Sequence, residues 1–161
     1  VISALGLDLG HKRIGIAGCD GTGLIATGLT TLHRTSFEQD IAQLRHISET
    51  RGVTVLVVGL PYTLDGTLGQ QAKRTQKLAH RIGRALQLPI EYVDERLTSV
   101  AAEAMLQSRR ISPSRHRELI DRTAACIILQ QWLDKRRQGT TTHETIETRE
   151  KAPLPSKLAD S

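Results

Sequence analysis

Apolar positions follow two rhythms along the chain, and the change between them outlines the fold. The segments ALGLDL (4–9), RIGIAGC (13–19) and ATGLTTL (26–32) have the length and composition of short strands. The links between them are too short for helices, which predicts an antiparallel meander. In SFEQDIAQLRHISETRG (36–52) the period lengthens. Phe37, Ile41, Leu44 and Ile47 recur at helical spacing, and Gly52 supplies a stop. VTVLVVG (53–59) is a continuous β-branched run, typical of a strand buried on both faces.

A loop rich in turn formers, GLPYTLDGTLGQQ (59–71), leads into a predicted helix over 70–86 that places Thr75, Leu78, Ala79 and Ile82 on one side. Pro89 opens the strand IEYVDE. TSVAAEAMLQ (98–107) starts a helix with Thr98 or Ser99 as its cap. SRRISPSRHR (108–117) reads as a basic loop, and a last helix is expected over 118–137. Beyond Gln138 the chain is polar, with Thr and Pro punctuation and no apolar period, which predicts disorder over 138–161. The order β-β-β-α-β-α-β-α-α describes one α/β domain over 1–137: a mixed sheet between helical layers.

Within that outline some acids stand out. The alternation of ALGLDL puts Ala4, Gly6 and Asp8 on one strand face and three leucines on the other. Asp8 thus shares its face with the smallest side chains, which leaves room for a ligand or for a closely packed helix. A turn through Gly10 is the plainer explanation of the acid. YVDERLTS places Asp94 and Glu95 where a strand ends, pointing to opposite sides if the strand runs through both. In ELIDRTAACIILQQWL, helical steps align Asp121, Ala125, Ile128 and Trp132, so an acid heads an inward-facing apolar row. Glu118 lies one turn earlier. A favourable helix dipole explains where both acids lie along the helix but not why Asp121 faces inward. Carboxyl ends of parallel strands share one sheet edge, where open α/β sheets build their sites. Three carboxylates with no His/Cys pair beside them suit Mg²⁺ or Mn²⁺, one ion or two, and phosphodiester cleavage.

Composition narrows the classes of function. Aromatics make up 2% of the chain, so the core is aliphatic and stacking platforms for single-stranded nucleic acid are not expected. The net charge is +5; from Asp134 onward six Lys or Arg face five acids, so the excess belongs to the domain and favours anionic partners. Two cysteines outside any paired motif fit a reducing compartment. No apolar run has bilayer length and the first residues lack a signal-peptide layout, so the expectation is a cytoplasmic protein with no membrane partner. The start at Val1 fits a processed or trimmed terminus.

The blocks LGLDLGHKRIGIAGCD, VVGLPYTLDGT, VDERLTSVAAE and DRTAACIILQQWL, in that order over residues 4–134, resemble the motifs of the YqgF family. Its members are described as Holliday junction resolvases or as nucleases processing the precursor of 16S ribosomal RNA. The resemblance implies a ribonuclease H-like three-layer fold. Its five-stranded mixed sheet has an antiparallel meander, then parallel strands, with helices on both faces. It also implies a two-metal nuclease whose catalytic and metal-binding acids are Asp8, Glu95 and Asp121, with Glu95 now preferred over Asp94. His11 stands where a small residue is common in the family. A polar tail follows the family core.

Supporting cations have two readings each. Lys12 and Arg96 either hold phosphate or pair with the acids, and Arg13 reads as an edge charge at the start of a strand. Arg109, Arg110, Arg115 and Arg117 are candidates for nucleic-acid backbone contacts, or plain solvated charge. Competing functions are a non-catalytic nucleic-acid or ribosome-assembly binder and an actin-like phosphotransferase, for which a second phosphate loop is missing. A resolvase that cuts two strands would act as a homodimer.

Overall fold

The computed structural model describes residues 2–61, 69–94 and 113–150, with side chains from 115 to 138 of the last segment. Five strands, β1 (Ala4–Leu9), β2 (Arg13–Cys19), β3 (Ala26–His33), β4 (Val55–Leu60) and β5 (Ile90–Asp94), form one sheet in the order β3-β2-β1-β4-β5. The meander is antiparallel: Leu7 faces Ile16 and Asp8 faces Gly15 across β1–β2. The short links allow only that direction of return. β4 then joins β1 in parallel, with Leu7 beside Val58, and β5 joins β4 in parallel, with Leu60 beside Asp94. β1 is therefore the central strand, and its carboxyl end lies at the edge shared with β4 and β5.

Among the described residues, three helices cover the sheet. α1 (Phe37–Arg51) is capped by the Ser36 hydroxyl, which accepts from the Gln39 N–H at 3.2 Å, and closes at Gly52, whose φ of 62° is left-handed. α2 (Gln70–Leu86) buries Ala72, Thr75, Ala79 and Ile82 along one stripe. These two helices lie on the sheet face formed by Leu5, Leu7, Ile14, Ile16, Leu56 and Val58. α3 (Pro113–Glu150) covers the opposite face, where Ala4, Ala17 and Val57 meet Ala125, Ile128, Leu129 and Leu133. Both cores are almost purely aliphatic, as the scarcity of aromatics requires.

The last helix differs from its predicted limits at both ends. It starts at Pro113 instead of 118, and its backbone runs through Glu150, past Gln138. Proline fits the first turn of a helix, where its missing N–H has no partner to lose. It therefore marks a helix start here and not a loop, and Arg115 and Arg117 stand on the helix as exposed cations. Beyond Gln138 no apolar stripe signals the helix, so its extension carries no pattern that reading by period detects. The helix expected over 98–107 lies outside the described residues.

The β2–β3 link is held by Asp20. Its carboxylate accepts from the Leu24 N–H at 2.9 Å, the Ile25 N–H at 3.0 Å and the Thr22 hydroxyl. The Thr22 hydroxyl and then the Ile25 N–H favour the ionised form and hold the acid below the usual 3.8. A lowered folded-state value contributes stability that is complete above the unfolded value and is lost as pH falls through the folded one. The stability gap between the parent chain and Asp20→Ala should thus be constant from neutral pH to about pH 5 and should shrink below about pH 4. Urea unfolding across that range checks it; a gap that widens in acid contradicts the assignment.

Candidate active site

Packing puts the site where small residues let α3 approach the sheet. A Cβ on Gly6 would lie 2.7 Å from Leu129 Cβ and 2.9 Å from the Ala125 carbonyl oxygen. On Gly15 it would lie 2.0 Å from the Asp121 carbonyl oxygen and 3.1 Å from Asp121 Cβ. The small face of β1 therefore accommodates a helix. Directly opposed residues of an antiparallel pair share a face. Asp8 and Gly15 are such a pair, and Asp121 lies over Gly15. Hence Asp8, on the central strand, and Asp121, on α3, belong to the same face of the sheet, one strand apart.

Asp8 is half-buried at the carboxyl half of its strand, more open than an acid within a buried run would be. Asp121 is more enclosed, its side chain 18% exposed, and its Oδ2 accepts from Arg13 Nε at 2.6 Å. Arg13 is accordingly not an edge charge. β2 is an interior strand between β3 and β1, and Arg13 shares the α3-side phase of Gly15 two residues on. Glu118 is drawn elsewhere: its Oε1 meets His33 Nε2 at 2.7 Å, on edge strand β3, two strands from Asp8. The Thr31 hydroxyl donates to the Glu118 carbonyl at 2.7 Å and fixes the start of the covered helix on the same strand.

At the other side of β1, the alternation of β5 decides between neighbouring acids. Val93 packs into the α3-side core beside Val57, whereas Asp94 pairs with Leu60, which shares the phase of Val58 on the α1–α2 side. Asp94 is thus out of phase with Asp8. Glu95 and Arg96 lie outside the described residues, as do Arg109 and Arg110. Among the described residues no group of three His, Cys, Asp or Glu is placed to hold a metal. The two acids that do share a face are hard oxygen donors, the chemistry Mg²⁺ and Mn²⁺ require.

The turn from β1 to β2 forms the rim of the site. Gly10 N–H donates to the Arg13 carbonyl at 2.9 Å, and a Cβ on Gly10 would meet that same oxygen at 2.6 Å. Arg34 clamps the turn from outside: its Nη1 donates to the Gly10 carbonyl at 2.9 Å and to the His11 carbonyl at 3.2 Å. His11 and Lys12 are exposed at the tip. Reading by residue type put Arg13 at a strand edge and passed over Arg34. For Arg13 a signal was present, because a three-strand meander with parallel additions on β1 makes β2 interior.

Loss of Arg13 strands a partly buried carboxylate. Arg13→Met keeps the stem and removes the charged hydrogen bond, and about 1–2 kcal/mol of stability should go with it, the lower half of the range because both groups are partly exposed. Urea unfolding measures this; an unchanged midpoint would show that the ion pair adds nothing.

A mixed five-stranded α/β sheet with helices on both faces, and with Asp8 and Asp121 on the same one, defines the class. The family model described as "RuvX: Holliday junction resolvase" matches residues 2–135, and the chain belongs to that family. A relative from Trichormus variabilis named "Putative pre-16S rRNA nuclease" is 60% identical over 146 residues, covering 91% of this chain and 97% of its own. A relative of the same name from Thermosynechococcus vestitus is 62% identical over 138 residues, covering 86% and 91%. Among solved structures, RuvC of T. thermophilus in complex with a Holliday junction substrate aligns with a TM-score of 0.52 at 13% identity. It covers 84% of this chain and 96% of that one, and shares the fold. No helix among the described residues is long and apolar enough to cross a membrane.

Proposed function

We propose that the chain is a metal-dependent endonuclease that hydrolyses phosphodiester bonds of structured nucleic acid, with the 5′ end of pre-16S rRNA as its substrate in the cytoplasm. The observation that carries this reading is the placement of Asp8 and Asp121 on one sheet face across Gly15, at the carboxyl end of the central strand. The names carried by the relatives at about 60% identity support the RNA substrate. The nuclease domain is residues 1–137, and the polar segment 138–161 lies outside it.

Asp8 is the central metal ligand, and Asp121 and Glu95 complete the set. The phase of β5 sets Asp94 on the face opposite Asp8, which leaves Glu95 as the acid of the DER block that completes the set. Mg²⁺ or Mn²⁺, when bound, supplies an activated water and positive charge for the departing 3′ oxygen. Arg13 orients the Asp121 carboxylate toward that face. Lys12 at the exposed turn and Arg96 hold phosphate, while Arg109, Arg110, Arg115 and Arg117 contact the nucleic-acid backbone.

The family description favours a second substrate, branched DNA, on which paired cuts require a homodimer. One panel tests both. Precursor RNA spanning the 16S 5′ end and a four-way DNA junction are incubated with the chain in Mg²⁺, Mn²⁺ or EDTA. The expected result is RNA cleavage with either ion and none in EDTA. Junction-only cleavage selects the second substrate, and rRNA binding without cleavage under any metal overturns the nuclease reading.

A further inference from the structure

We propose that a basic cleft on the α2 side of the β1–β2 turn binds the phosphodiester backbone of the nucleic-acid strand that enters the Asp8 site; this rests on the nucleic-acid substrate proposed above. The cleft has a volume of about 560 Å³ and lies between the Leu9–His11 segment and α2. Arg34, Arg74, Lys77 and Arg81 line it with His11, and its lining holds no acid. It begins at the residue after Asp8 on the other side of the sheet, so a strand crossing the turn at His11 and Lys12 touches both.

The charge is concentrated there more than anywhere else along the described chain. α2 carries Lys73, Arg74, Lys77, Arg81 and Arg84 without one Asp or Glu, equal to the whole net charge of +5. Three of these, Arg74, Lys77 and Arg81, follow one another at helical spacing along the cleft. Seven residues of helix separate the first from the last, about 10 Å. That is longer than one phosphate needs and far short of a duplex turn, and it suits a short run of consecutive backbone phosphates.

Repulsion among such cations is unrelieved by acids within the cleft, a cost that an anionic partner offsets. Two of the cations have structural work as well: Arg34 holds the turn, and the Arg81 guanidinium lies 4.0 Å from the centre of the Phe37 ring. Arg74 and Lys77 are exposed and have no acidic partner among the described residues. They are the pair free to meet phosphate. With Phe37 covered by Arg81, the cleft offers no open aromatic face for a base, so it reads backbone and not sequence.

The test measures binding in EDTA by fluorescence anisotropy, which reads affinity whether or not the chain cuts. Labelled precursor RNA and a four-way DNA junction are each titrated with the unaltered chain, R74E/K77E, and K135E/R136E, a reversal of equal charge on α3. R74E/K77E should bind at least tenfold more weakly and lower the salt slope of log affinity by about 1.5, as loss of two phosphate contacts requires. K135E/R136E should stay within twofold. Loss on RNA alone or junction alone supports the cleft and identifies the strand it holds. Binding of R74E/K77E within twofold of the unaltered chain, or equal loss in both pairs, overturns the proposal. If R74E/K77E fails to fold by circular dichroism, R74Q/K77Q carries the same test with an expected loss of about threefold. Tight cleft-dependent binding with no cleavage would refute the nuclease reading and leave this one standing.

Discussion

Asp8→Asn should reduce cleavage of precursor RNA by about 10³-fold or more while leaving the fold intact, a loss of about 4 kcal/mol in transition-state stabilisation. The substitution keeps the shape and one oxygen of the side chain and removes the charge that a divalent ion needs. Asp8 is half-buried near the end of β1, and the near-isosteric change should leave the chain folded by circular dichroism. Binding of RNA in EDTA should persist. Asp121→Asn should cost as much activity, but here stability falls too, since Arg13 loses its ionic partner. Asp94→Asn is the internal comparison: from the opposite phase of β5 it should keep nearly full activity. Initial rates of the three variants in Mg²⁺ decide the matter. Full activity in Asp8→Asn, or equal loss in Asp94→Asn, would sink the assignment of ligands.

Much of the frame was legible from period alone, and the reason is physical. ALGLDL, RIGIAGC and ATGLTTL are joined by links too short for anything but an antiparallel return, so the meander followed directly. The continuous apolar run of β4 announced a strand covered on both sides, and it lies beside β1 under helices on both faces. The inward stripe of Asp121, Ala125 and Ile128 was visible as a helical repeat, and Ala125 and Ile128 are fully buried.

What period could not reach depends on strand order and on backbone proximity. Whether Arg13 was an edge charge turned on which strand lay at the edge, a property of the whole sheet. Pro113 read as a loop residue because a proline signals a boundary without saying on which side the helix lies. Glu118 and Asp121 look interchangeable on one stripe, yet His33 holds the first over β3 and Arg13 holds the second over β2, one strand from Asp8. The cations of α2 were countable in the sequence, but only the fold places them beside the turn that follows Asp8.

Gly15→Ala should be the most damaging small substitution on the α3 face. The added methyl would sit 2.0 Å from a backbone carbonyl oxygen of α3, an atom that no rotamer change can move aside. Either the helix lifts from β2 or the strand bends, and overpacking of this kind reaches about 3 kcal/mol. For a chain of this length that corresponds to a fall in Tm of roughly 10 °C. Gly28→Ala tests the argument on the neighbouring strand, where the nearest atoms of Arg122 would lie at 3.4 Å and 3.5 Å. There the methyl finds near-ordinary contact, and stability should change by less than about 0.5 kcal/mol. Activity separates packing from chemistry. Lifting α3 carries Asp121 away from Asp8, and a displacement of about 1 Å at a catalytic group costs on the order of 10²-fold. Gly15→Ala should therefore lose cleavage well below its unfolding temperature, whereas Gly28→Ala should cut at the parent rate. If Gly15→Ala were as stable and as active as the parent, α3 could not be seated on β2 as closely as the packing of Asp121 over Gly15 requires.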